Sequence, residues 1–234
     1  MRPFFLLTVS AAALSLGAGL LARQRSRRAA PGRLDAVQAE GFEPTAREVT
    51  RNVLKYFVMP VWLAAGVSDW RLHRATRIEQ TTGLKESLMH LLMMAEAGAP
   101  IAAGMLLEID PLILSAIIAS FFLHEATAMW DVSYAVTARE VSPLEQHVHS
   151  FLEMTPLLAV TLITAMHWPQ LKALAGLRVE PPRRLRWKEA PLSRAYLGGA
   201  FAGMTALEIL PYVEEAVRCW RAHPGRLAPP AAGG

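Results

Sequence analysis

The chain has 234 residues, 53% hydrophobic and 19% charged, with a formal net charge of +4, a pI near 9.6 and a mean hydropathy of +0.25. One cysteine excludes an internal disulfide framework and any CxxC metal site. The basic residues sit in loops beside apolar runs, without a recognisable nucleic-acid module, so no nucleic-acid partner is expected and the lipid bilayer is the simpler one.

Runs long enough to cross roughly 30 Å of hydrocarbon occur at about residues 3–22, 54–70, 87–107, 111–130, 150–168 and 192–213. They predict an all-α integral membrane helical bundle of five or six transmembrane helices with a four-helix core, multi-pass in a bacterial inner (plasma) membrane. The expected organisation is an N-terminal anchor with a basic flank over 1–28, a polar linker over 29–52, a helical transmembrane domain over 53–215 and a polar, disordered tail over 216–234.

In the first run, FFLLTVSAAALSLGAGLLA precedes the cluster RQRSRR. A cleaved signal peptide carries its charge before the apolar run and ends in a small-x-small site, so a retained anchor is expected. The second run contains Pro60 and ends at Asp69 and Trp70, and a polar connection carrying His73 follows. The third opens just after Glu86, has His90 one turn in and holds Glu96 deeper, where an acid costs a few kcal/mol unless it faces a partner or a cavity. Asp110 and Pro111 have the chemistry of an N-cap and first helical residue. The fourth run brings His124 and Glu125 to its far end and leaves through Trp130 and Asp131. The fifth opens with Glu145, His147, His149 and Glu153 and contains Pro156. The last places Gly199 and Gly203 at a small-residue spacing that suits helix packing in lipid.

Four pairs organise this pattern: Asp69 with His73, Glu86 with His90, His124 with Asp131 and His149 with Glu153. Three are spaced i,i+4 and one i,i+7, so each projects from one helix face. The first and third close an apolar run and the second and fourth open the next, so alternating crossings deliver all four to one membrane surface. The order of span, Asp beside Trp, polar connection, then Glu and His also recurs, which suggests a faint duplication of one hairpin. Of the 24 Arg and Lys, fifteen fall on the surface holding residues 23–55 and 172–194, which places the cluster on the exoplasmic face.

Histidines and carboxylates on neighbouring helices hold one or two divalent or trivalent metals in bundle proteins. The candidate ligands are Asp69, His73, Glu86, His90, His124, Asp131, Glu145, His147, His149 and Glu153, with iron, zinc or manganese as the ion. Glu125 and Glu96 are candidates to move protons. Against this stands a bland reading in which the same residues cap helices or pair with Arg71, Arg74, Arg77 and Arg139.

Through KESLMHLLMMAEAG, HEATAMWDVSYAVTARE and EQHVHSFLEMTPLL, the chain over about 53–215 resembles a family of bacterial multi-pass membrane proteins with no established activity. It is also somewhat similar to the histidine-rich membrane hydroxylases and desaturases, whose histidine boxes lie at span ends on one surface. It lacks their HxxHH boxes, His147 and His149 being its only close pair, and it has ExxxH at Glu86 and His90 rather than the ExxH of ferritin-like di-iron proteins.

The expected function is a metal-dependent oxidoreductase or hydrolase on a membrane-borne, lipid-like substrate. The alternatives are a proton or metal-ion transporter, a haem-binding membrane cytochrome using His90 with His124 or His149, and a structural bundle without a metal.

Overall fold

The structure, a computed structural model, describes residues 45–177 and 185–229. The expected anchor over 1–28, most of the linker and the last five residues lie outside the described residues. Among the described residues the protein is helical, apart from one isolated bridge between Leu107 and Trp187.

Helix α1, Ala46–Val53, opens on a capping box in which Thr45 Oγ1 accepts the Glu48 N–H and the Glu48 carboxylate accepts the Thr45 N–H. The polar linker expected to reach residue 52 is therefore corrected at its end, because the Thr45-to-Glu48 spacing satisfies two otherwise orphaned donors. A π turn, Leu54–Val58, carries the chain without a break into α2, Met59–Thr76. The cause is Pro60, which has no N–H to donate and whose ring crowds the carbonyl four residues back. The wider turn, closed by Met59 N–H to Leu54 O, makes room for it.

After Arg77, held in the left-handed region at φ 53, and a 3-10 turn at Ile78–Gln80, α3 spans Leu84–Leu106. Pro100 interrupts its ladder and leaves the Glu96 carbonyl free. The Ser120 hydroxyl donates to that carbonyl at 2.6 Å, so the break is satisfied across the bundle. As expected, Asp110 caps α4, Pro111–Ala138, accepting the Ile113 N–H at 2.9 Å. Ser142 caps α5, Pro143–Met166, and short α6 is Trp168–Leu174. The last rod joins α7, Arg194–Met204, through a second π turn, Thr205–Ile209, to α8, Leu210–Ala222. This π turn too ends just before a proline, Pro211.

The tail expected from residue 216 is corrected by α8. Its Tyr212, Glu215, Ala216 and Cys219 are buried, and that burial carries the helix on to Ala222. Beyond it, Leu227 O accepts the Lys85 N–H at 2.7 Å and the chain packs over Gly83, whose φ of 70 favours glycine.

Helix α3 packs on α4, α2 on α5, and α8 on α3 and α2. Three helices, α3, α4 and α5, are long and apolar enough to cross a membrane. Only 22%, 28% and 11% of their apolar windows is buried within the protein, so most of that surface faces outward. Phe122, Leu123, Met129, Trp130 and Met154 stand on the outside, while Asp69, His73, Glu86, Glu145 and Glu215 are inside. This inverts the usual distribution and suits a hydrocarbon surround. The interior has three levels. Ile109, Ile113, Leu114 and Ile117 pack at the end where α4 begins, Trp62, Ala97 and Met204 pack at mid-height, and the buried charges gather at the other end.

Candidate metal centre

Five helices deliver the cluster. The end of α2 gives Asp69 and His73, the start of α3 Glu86 and His90, the end of α4 Asp131, the start of α5 Glu145 and His149, and α8 Glu215. Glu215 sits at the centre. Its two oxygens accept the Nδ1–H groups of His73 at 3.0 Å and His90 at 2.7 Å, and the two rings stack with centroids 4.6 Å apart. A carboxylate only accepts, so both Nδ1 atoms carry the hydrogen and each Nε2 is left as a lone pair when the ring is neutral.

Each Nε2 then meets two more carboxylates. His73 Nε2 lies 3.4 Å from Asp69 Oδ1 and 3.5 Å from Glu145 Oε1, and His90 Nε2 lies 3.4 Å from Asp131 Oδ2 and 3.9 Å from Glu86 Oε1. A lone pair facing two anions requires a proton or a cation between them. These separations exceed the about 2.7–3.2 Å of a normal N–H···O bond. They are close to the edges of a coordination sphere, where ligands about 2.0–2.2 Å from one ion stand roughly 3.0–3.5 Å apart. Around His73 the set is extended by His149, whose Nε2 is 2.9 Å from Asp69 Oδ1. Three groups bring ligand atoms within 4.8 Å of one another: Asp69 with His73 and His149, Glu86 with His90 and Asp131, and His73 with His90 and Glu215.

Arg139 ties the two halves together, its Nη2 standing 2.6 Å from both Glu86 Oε1 and Glu145 Oε1. Burial disfavours its charge, but bonds to Glu145 and Glu86 outweigh that and raise its pKa. Burial also works against charge on His73, and Asp69 and Glu215 reverse it, holding the imidazolium up to about 10. For Glu215 the burial cost is overcome by His90 and His73, which bring the carboxyl down to about 2. Five carboxylates against one guanidinium leave four negative charges when the histidines are neutral, the charge that two divalent cations balance. His73 Nε2, Asp131 Oδ1 and Glu145 Oε2 are buried without a hydrogen bond, as open ligand positions are.

A cavity of about 70 Å³ opens beside the cluster, lined by Asp69, His90, His124, Asp131, His149 and Glu208 among others. It has room for an ion and one or two waters, a water occupying about 30 Å³, and none for a porphyrin. Tyr212 closes one side, donating to Asp69 Oδ2 at 3.0 Å and Gly66 O at 3.2 Å. The Glu208 carboxyl lies directly against Gly66, where a side chain would collide with it, and its Oε1 is buried without a hydrogen bond.

Seven of the ten expected ligands, Asp69, His73, Glu86, His90, Asp131, Glu145 and His149, converge here. His124 lines the same cavity, but its Nδ1 points to Met93 O at 3.3 Å. Glu153 lines the cavity rim and is exposed. His147 is exposed and lies edge-on to Phe151. Glu96 accepts the Thr127 hydroxyl at 3.0 Å at mid-height, away from the cluster, and Glu125 is half-buried on α4. Sequence reasoning did not assign Glu215, Tyr212, Glu208 or Arg139 to the site. A signal existed, since Glu208, Tyr212, Glu215 and Cys219 recur at i, i+4, i+7 and i+11, which puts them on one face of the rod.

Compared with known proteins, the chain matches no family model, no curated protein and no solved structure.

Proposed function

We propose that this is a multi-pass bacterial inner-membrane protein of five or six crossings that binds two divalent cations, one at His73 with Asp69, Glu145 and His149, the other at His90 with Glu86 and Asp131. It uses them on a membrane-borne substrate at the exoplasmic surface. The observation that carries this reading is the pair of stacked imidazoles tied through Nδ1 to Glu215, with each Nε2 presented to its own pair of carboxylates. Glu215 acts from behind, fixing the tautomer and orientation of both rings, as a carboxylate behind a ligating histidine does. Mixed imidazole and carboxylate donors suit iron, manganese or zinc. Such ions supply activated water or oxygen when bound. Tyr212 orients Asp69, and Arg139 bridges Glu86 and Glu145. Glu153, exposed at the cavity rim, exchanges protons with water, and Glu125, half-buried on α4, is the second acid for that role.

Elemental analysis of detergent-purified protein tests this directly. About two iron, manganese or zinc per chain is expected, falling to about one in His73→Ala or His90→Ala and to none in the double variant. Wild-type protein that folds and inserts normally, yet holds no metal and takes none up, would establish the cluster as an ion-pair network instead.

A further inference from the structure

A second, larger cavity of about 580 Å³ occupies the other half of the bundle. That volume lies inside the roughly 300–1,000 Å³ of cavities that enclose small ligands. Its walls are mostly apolar, with Met59, Ile101, Ile117, Phe121 and Val160 among them, and Glu96, whose carboxyl accepts the Thr127 hydroxyl at 3.0 Å, lines it beside Ala97. Along α5 it runs from Thr155 to His167, twelve residues, or about 18 Å at 1.5 Å per residue. That length and volume suit one acyl chain.

The two ends differ. At the mouth stand Arg47, Arg51, Lys55 and Lys188, with Glu48 and Glu108 as the acids. Both acids already serve the fold. Glu48 caps α1 through Thr45, and Glu108 accepts the Glu189 N–H at 2.9 Å where residues 186–188 pair with 106–108. Lys55 Nζ lies over the rings of Tyr56 and Tyr196, 4.7 and 4.5 Å from their centroids. Lys188 Nζ donates to Leu107 O at 2.8 Å, and burial lowers its pKa, with Glu108 opposing that and Arg47 adding to it. At the inner end, Trp62, Ala97 and His124 line both this cavity and the 70 Å³ cavity of the cluster. They are a shared wall between an apolar chamber and a charged one.

We propose that the chamber binds one long-chain fatty-acid anion, its carboxylate at the basic mouth and its methyl end against the wall formed by Trp62, Ala97 and His124. The charge of the mouth selects the anionic head, and the length and largely apolar lining of the chamber select the tail. Only the significance of the inner end, where the tail tip comes nearest the histidines, rests on the metal reading; the binding itself does not.

The test uses the full chain in detergent with radiolabelled palmitate, and photoreactive palmitates carrying a diazirine at the methyl end or beside the carboxylate. Saturable binding of one palmitate per chain is expected, with hexadecanol weaker by on the order of tenfold, the scale of one lost charge-assisted hydrogen bond. Arg51→Glu with Lys188→Glu should weaken palmitate similarly and leave hexadecanol and metal content unchanged. Ile117→Trp, which fills the chamber, should abolish binding without loss of metal. The methyl-end probe should label Trp62, Ala97 or His124, and the carboxylate-end probe residues near Lys188. His73→Ala with His90→Ala should still bind palmitate, so that absence of metal and absence of a fatty acid are separate results. Equal affinity for palmitate and hexadecanol, non-saturable uptake, or reversed labelling would overturn the proposal. So would a photo-crosslinker placed at Ile117 that captures residues 3–22, since the chamber would then belong to the chain's own first segment.

Discussion

The two ends of this bundle share four helices and solve opposite problems. At one end α2, α3, α4, α5 and α8 turn five carboxylates and three imidazoles inward, around a cavity of about 70 Å³. At the other α2, α3, α4 and α5, joined by α1 and the start of α7, turn methionine, isoleucine and phenylalanine towards a cavity of about 580 Å³ and leave the basic residues at its rim. Buried charge must be paired and therefore packs tightly; apolar side chains carry no such demand and can border open space. Hence the charged end is the one most sensitive to a single substitution.

The largest expected effect tests that difference. Arg139→Met leaves Glu86 and Glu145 buried without their shared cation and should cost about 3–5 kcal/mol, as when one partner of a buried pair is removed. Thermal unfolding in detergent checks this, and added divalent cation should restore much of the loss if the metal reading holds. At the other end Lys188→Met, at a half-buried position, should stay within about 1 kcal/mol by the same measurement. If the two variants fall equally, the contrast between the ends is not real.

Next in size, Glu215→Gln keeps the shape but cannot accept from both Nδ1–H groups as a carboxylate does, and metal affinity should drop by about 10–100-fold. Competition with a chelator of known affinity measures it, and an unchanged affinity would remove Glu215 from its orienting role.

A pH series separates protons from metal at the same nitrogens. Without metal, the His73 contribution is complete below its usual 6.5 and is lost as pH rises through about 10, because its folded pKa is raised. The Glu215 contribution is complete above its usual 4.5 and is lost as pH falls through about 2, because its folded pKa is lowered. Metal-free protein should thus be most stable between about 4.5 and 6.5 and weaken towards pH 10. Metal-loaded protein should do the reverse over that upper range, since metal needs the histidines deprotonated. Melting curves of both forms that run parallel would deny the competition. The smallest effect is expected from His147→Ala, an exposed side chain against Phe151, within about 0.5 kcal/mol in stability and with metal content unchanged.

Much of this was legible from the chain. Asp110-Pro111 announces the start of α4 by cap chemistry alone, and the i,i+4 pairs Asp69 with His73 and Glu86 with His90 place ligands on one face before any packing is known. The repeated hairpin has a structural counterpart in a reciprocal exchange. His149 of the second hairpin bonds Asp69 of the first, and His90 of the first lies against Asp131 of the second. The two π turns were not foreseen, although each ends one residue short of a proline, Pro60 or Pro211. Nor was Glu96 separable from the cluster by sequence, because a buried acid bonded to Thr127 and one bound to histidine look alike in a string of letters.

By itself the sequence determined the helices, the apolar surfaces of α3, α4 and α5 that lipid can cover, and the clustering of acids and histidines at span ends. These follow from local periodicity and from the cost of placing charge in hydrocarbon. Only the tertiary structure decided which carboxylates face which imidazoles. Residues as far apart as His73 and Glu215 meet only once α8 has packed against α2 and α3, and the separations among their atoms, on which any ion would depend, are set by that packing.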